Sequence, residues 1–437
     1  MALSRRNFLV TGSLAAGALA TVKPFLAKPA PPADLRNWRV IREMFNLDPN
    51  YVHLGLFFLA SHPQPVRHAI ESYRQKLDAN PFLTVDKGMF ENPHNTIPDH
   101  VASEIGKFIG ANAQDIALTH NTTTGLSLIY HGLHLKTGDE ILTTNNDHYV
   151  HHEAIRLATE RNGASWRKIP TWESWDRVSA RGIVDHIQRE IRPNTRVIGV
   201  TWVHSQSGIR LPIRRIADMI TDVNRDREQR ILLVVDGVHG IGVEDPAIVN
   251  LGADAFAAGL HKWIFAPRGT GFVWARPDVW ASMRPLIPSF TSFELFQAWG
   301  EGQPPTTRPK ANWFTPGGFQ AFEHWWAVPA ALDFHNAIGS DRITQRIHAL
   351  NQHMNVELRK LPNVKIVYTP VDPELNAGMV CFDMKNFDAQ KTVTRLLEKK
   401  IIASTTPYAV PFARVAFGIM NTSEEVERTV RAVRSLV

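Results

Sequence analysis

Between Asp115 and Trp274, short apolar runs at 116–119, 140–144, 196–203, 231–235, 253–258 and 271–274 alternate with stretches of helical length. Runs this short, spaced by helix-length segments, predict buried strands joined by helical crossovers, hence an α/β unit with a mostly parallel sheet. Leu126, Ile129 and Leu133 recur at helical spacing behind Asn121 and three threonines, any of which can cap a helix start. Past Trp326 a long helical pattern leads to further strands near 364–368 and 378–383. A closing helix is predicted from Thr422, because Thr422 and Glu425 have capping-box spacing and Val426, Val430 and Val433 share one face. Before Ile109, helix-like stretches mix with Pro and His and carry no clear motif.

The first 30 residues break this pattern. Arg5, Arg6, Lys23 and Lys28 are their only charged side chains, and an apolar, small-residue stretch runs from Phe8 to Val22. It is too short for a stable membrane anchor and predicts a cleaved export signal. Ser4-Arg5-Arg6-Asn7-Phe8-Leu9 matches a twin-arginine signal, the address that carries folded proteins across the bacterial inner membrane. The expected partner is therefore the twin-arginine export machinery, and the expected location is the periplasm. Four segments follow: a signal peptide at 1–30, an N-terminal arm at 31–70, a large domain at 71–325 and a small C-terminal domain at 326–437.

Composition narrows the class. The chain has 437 residues, 44% hydrophobic and 21% charged, too apolar for a disordered protein. Its formal charge of +6 invites a nucleic-acid reading, but removing the leader leaves about +2, and no basic run accompanies the 12 Trp. No nucleic-acid partner is expected. The single Cys, Cys381, lies in an apolar run and reads as a buried small hydrophobe. His148, His151, His152 and Glu153 fit no standard zinc spacing, so no metal site is expected.

The chemistry concentrates between 231 and 274. Asp236 ends an apolar strand, where open α/β sheets place their ligands, and a carboxylate there needs a positive partner. Lys262 follows a second apolar strand, between His261 and Trp263. An acid at one strand end and a Lys in a neighbouring apolar loop suit pyridoxal 5'-phosphate: the Lys forms a Schiff base and the acid keeps the ring nitrogen protonated. The turn from His120 to Gly125, between a strand and a helix, offers free N–H groups and hydroxyls to a phosphate.

These residues resemble the class V aminotransferase group of fold type I pyridoxal-phosphate enzymes, which includes cysteine desulfurases and isopenicillin N epimerase. The resemblance implies a mostly parallel seven-stranded sheet in a large domain, a smaller C-terminal α+β domain and a homodimer. It implies that Asp236 pairs with the pyridine nitrogen, that His239 approaches the ring oxygen, and that Lys262 carries the cofactor with His261 on its phosphate. Thr122 and Thr123 match the phosphate turn, His148 the residue stacked on the ring, with Tyr149 its rival one place on, and Ser205 a ring-oxygen contact. Arg414 matches the residue that grips a substrate carboxylate. Two hydroxyls of the phosphate cup are missing: Gly259 stands where a Ser is frequent, and the segment from Phe314 to Gly318 puts Gly where a partner-donated Thr is frequent. Thr315 or Arg268 is the expected substitute.

Function follows in outline. Cysteine desulfurases use a thiol on a loop shortly before the carboxylate Arg, and here 404–409 holds none, so the chain is expected not to be a desulfurase. Export favours a substrate met outside the cytoplasm. The best expectation is an enzyme acting on the amino group of an amino-acid moiety, as in tailoring the glutamyl group of a peptidic, pyoverdine-type siderophore. A free amino-acid aminotransferase or epimerase is the alternative within enzymes, and a non-catalytic binding protein the alternative outside them.

Overall fold

The computed structural model describes residues 34–92 and 95–436, so the expected signal peptide lies outside the described residues. The strands are β1 Val52–His53, β2 Ile116–Thr119, β3 Glu140–Thr144, β4 Ser165–Ile169, β5 Thr195–Thr201, β6 Leu232–Asp236 and β7 Ala255–Gly259. They continue as β8 Gly271–Ala275, β9 Val364–Val367, β10 Val380–Met384, β11 Ile401–Ile402, β12 Ser404–Thr405 and β13 Ala413–Val415. Seven of them form one sheet in the order β2-β8-β7-β6-β5-β3-β4. Neighbours from β4 to β7 pair parallel, and β8 alone runs against the strands on both sides of it.

The predicted runs become these strands because helices cover both faces of the sheet. Every residue of β2, β3, β7 and β8 is buried, the condition that favours continuous apolar runs over alternation. The helix Thr122–Gly132 starts where expected, with Asn121 capping the N–H of Thr124. Within this sheet one strand was not legible: β4 reads Ser-Trp-Arg-Lys-Ile, and its polar side chains belong to an exposed sheet edge.

A second, four-stranded antiparallel sheet, β12-β13-β10-β9, packs an apolar face against the helices Ser340–Arg359 and Ser423–Arg434. The closing helix has its capping box, Thr422 with Glu425, and buries Val426, Val430 and Val433. Cys381 is wholly buried in β10, where burial pushes its thiol up to about 12. Near the N-terminus, β1 pairs parallel with β11, which ties residues 52–53 to the C-terminal region and sends Phe57 back toward the large sheet.

Candidate active site

The carboxyl ends of β5 and β6 open into a cavity of about 470 Å³. All nine residues singled out in the sequence line it: Thr122, Thr123, His148, Ser205, Asp236, His239, His261, Lys262 and Arg414. They come from six separate segments: the loops after β2, β3, β5 and β7, the end of β6 with the turn that follows it, and strand β13.

Asp236 is buried at the end of β6, and its Oδ1 accepts from the N–H of Val238 at 3.1 Å. Burial pushes this carboxyl up, against the bond from Val238 and the field of Lys262. The turn that holds it is tight, because a Cβ on Gly237 would lie 1.7 Å from the ring of Phe256. Lys262 acts on Asp236 through space and forms no ion pair with it: Lys262 Nζ sits 3.0 Å from His239 Nε2. Burial pulls the ammonium down, with Asp236 opposing and Arg414 assisting. The amine is therefore free of its proton at a lower pH than an ordinary lysine. His239 is neutral, pushed well below its usual range by burial and then by Lys262, and its Nδ1 is buried without a partner. The loop carrying Lys262 turns back through Phe265, whose φ of 60° lies in the left-handed region. Ring packing on His335 and Phe45 holds that conformation.

At the opposite end the helix Thr122–Gly132 points its first N–H groups into the cavity. Thr122 Oγ1 accepts from the N–H of Gly259 at 2.8 Å, which leaves its hydroxyl proton to give. A Ser at Gly259, as in the family pattern, would require the His261 ring to move, since a Cβ there would lie 2.7 Å from it. Of the two expected substitutes, Thr315 does not line this cavity: it is buried beside β2, where its hydroxyl accepts from the N–H of Leu118 at 3.0 Å. Arg268 instead lines the cavity rim.

His148 caps the helix Tyr149–Asn162 and lines the cavity, whereas Tyr149 is 66% exposed. Burial, Lys262 and Arg414 push His148 down to about 4, so its ring is neutral. Arg414 is 3% exposed. It donates to the Ser205 carbonyl at 2.6 Å and to Ser404 Oγ at 3.1 Å, and lies 4.4 Å above the Phe57 ring. None of these partners is an anion, so among the described residues this buried guanidinium faces the cavity without a paired counter-charge.

Three contributors were missed in the sequence. Phe57 forms a wall under Arg414 and stacks on Trp263. Tyr408 bonds Ser205 through its hydroxyl at 2.8 Å. Asp147, wholly buried, accepts from Thr143, Thr144 and the N–H of Thr201, fixing the ends of β3 and β5 under the cavity. Asp147 stood in the text beside His148, and a buried Asx after a strand is the signal that would have marked it.

The class V aminotransferase family model, described as "Aminotransferase class-V", matches residues 60–429. The chain belongs to that family. Isopenicillin N epimerase of Streptomyces clavuligerus is 26% identical over 412 residues, 92% of this chain and 98% of the relative. A probable cysteine desulfurase of Vibrio cholerae serotype O1 is 24% identical over 416 residues, covering 91% and 96%. Among solved structures, a C-DES variant with glycine covalently linked to its PLP cofactor superposes with a TM-score of 0.77 at 20% identity, over 90% of this chain and 99% of the other. The fold is thus that of fold type I pyridoxal-phosphate transferases, and pyridoxal 5'-phosphate is the cofactor.

The desulfurase names correct one expectation. That the chain is not a cysteine desulfurase does not stand, because relatives matching nine-tenths of it carry that name. The exclusion rested on one absent thiol in one loop, and a missing side chain says little about chemistry that runs chiefly through the cofactor.

Proposed function

We propose that this chain is an exported pyridoxal-phosphate enzyme that acts on the α-amino group of an amino-acid moiety. The observation that carries it is the unpaired Arg414 facing Lys262 across one cavity, a carboxylate receptor opposite an amine of lowered pKa. The cofactor fits the residues present. Thr122, Thr123 and the helix start, with His261 and Arg268, would hold its phosphate; Lys262 would hold its aldehyde carbon; Asp236 would hold a proton on its ring nitrogen. His148 would cover the ring, and Ser205 and His239 would face its oxygen. His239 and His261 each keep a buried ring nitrogen without a partner, as a wall awaiting a polar ligand would.

When bound, the cofactor withdraws electrons from the carbon bearing the substrate's amino group. The protein's own part is positional. Arg414 would grip the carboxylate in a cavity that Phe57 shields from water, and the Lys262 amine, with its lowered pKa, would serve as the base in the same cavity. The neutral His239, with Nε2 3.0 Å from Lys262 Nζ, orients that amine by a hydrogen bond and leaves the proton on lysine.

The twin-arginine pattern supports a periplasmic enzyme and a substrate made or met outside the cytoplasm, for which the glutamyl group of a peptidic siderophore is the proposed case. Action as a homodimer belongs to the same reading. A second reading, epimerisation of an amino-acid centre, is favoured by the epimerase relative. The protein purified with the cofactor should show a visible absorbance band that is lost in Lys262→Ala. A colourless wild type would defeat the reading. Glutamyl peptides and free amino acids, each tried with a keto acid or with oxygen, then separate the two reactions. Appearance of the opposite epimer, carrying solvent deuterium at its α-carbon and with no keto product, would favour epimerisation.

A further inference from the structure

Tyr408 stands at the tip of the hairpin between β12 and β13, beyond every residue assigned above to cofactor or substrate. Its hydroxyl lies 2.8 Å from Ser205 Oγ, and its ring meets the edge of His148 at 6.1 Å and 86°. The same hairpin carries Arg414, which donates to the Ser205 carbonyl, while Gln206 Nε2 donates to the carbonyl of Val410 at 3.2 Å. Ser205 is thereby held at both its hydroxyl and its carbonyl by one element, 203 residues away along the chain.

The direction of the Tyr408–Ser205 bond follows from what each hydroxyl can reach. Tyr408 Oη has Ser205 Oγ as its one hydrogen-bond partner among the described residues, and burial holds the phenol protonated, raised above its ordinary value. If Ser205 were the donor, the buried phenol proton would go unmet, at a cost of about 1–3 kcal/mol. If Tyr408 donates, Ser205 keeps its own proton to give into the cavity that it lines. We propose that Tyr408 is a positioning residue that fixes Ser205 as a hydrogen-bond donor into the cavity. The inference rests on the proposed binding of the cofactor there with its ring oxygen toward Ser205.

The charged and titratable groups around this pair are His148 at its helix start, Arg414 on the hairpin, Asp147 after β3 and Asp236 on β6, with Lys262 and His239 across the cavity. A donor on the ring oxygen disperses negative charge that would otherwise hold the proton near Lys262 Nζ. Losing the donor should therefore raise the pH midpoint at which the visible band titrates.

Tyr408→Phe removes one oxygen and keeps the ring contact with His148. The expected result is a midpoint raised by about half a pH unit, with Ser205→Ala raising it further, to about one unit. Tyr408→Phe added to Ser205→Ala should change nothing more, since the effect passes through that hydroxyl. A Tyr408→Phe midpoint within about 0.1 of wild type, or an equal shift in the Ser205→Ala background, overturns the inference while leaving the cofactor reading intact. A wild type that shows no band with added pyridoxal phosphate overturns both.

Discussion

Arg268 lines the cavity at the end where the cofactor phosphate is proposed to bind, and its rim position sets how much it can contribute. Gly259 carries no hydroxyl and Thr315 lies outside the cavity, so the charge of Arg268 is what the chain offers in place of those groups. A charge-assisted bond at an exposed rim is worth less than a buried one, on the order of 1.4 kcal/mol. Arg268→Ala should therefore weaken pyridoxal 5'-phosphate binding about tenfold and leave pyridoxal, which lacks the phosphate, unchanged. Titration of the apoprotein with both aldehydes checks this, and equal losses for the two would assign Arg268 to another task. The residue scale is also where the sequence was most legible: each of the nine predicted side chains reaches the cavity wall. The types themselves carried the signal, since an acid at a strand end and a Lys among apolar neighbours are each costly without a ligand or partner.

Elements deliver those side chains with little slack. The turn after β6 sets both Asp236 and His239, and Gly237 there packs under Phe256, which is itself stacked on Phe272 in the sheet. Gly237→Ala has no room for its methyl, so the turn must shift and carry Asp236 with it. The expected outcome is a protein that folds with reduced stability, roughly 1–3 kcal/mol from overpacking, and a visible band that is weak or absent. A variant with wild-type stability and an unchanged band would show that the turn relaxes freely. Strands buried on both faces were predicted nearly to the residue, because continuous apolar runs leave no other stable use. Strands β1, β11 and β12, of two residues each, have no period to read, and β4 hid behind the charges that protect its edge.

Across the whole molecule, buried histidines govern behaviour in acid. His62, His148, His151 and His335 are each pushed down to about 4, by burial above all. In the unfolded chain a histidine titrates near 6.5, so between about 6.5 and 4 the unfolded state binds more protons than the folded one. Stability therefore falls as pH drops through that window. Asp86, Asp115, Asp236, Asp254 and Asp383, raised by burial, work in the opposite sense, but they face seven imidazoles, since burial lowers His131, His239 and His261 as well. Asp147, held below the usual range by His204 and His151 against its own burial, loses its contribution only at lower pH still. The thermal unfolding midpoint should drop steadily from pH 7 to pH 4, and a flat profile by calorimetry would mean that these rings accept protons in the folded state. The sequence by itself determined the strand–helix alternation, the helix caps and the residue types of the site, because burial period and capping are local. Only the tertiary structure decided that His148 enters the cavity and Tyr149 does not, that Lys262 meets His239 and not Asp236, and that Arg268 reaches the cavity while Thr315 does not. Those outcomes depend on contacts such as Leu118 with Thr315 and Ser205 with Tyr408, 197 and 203 residues apart, which no local pattern encodes.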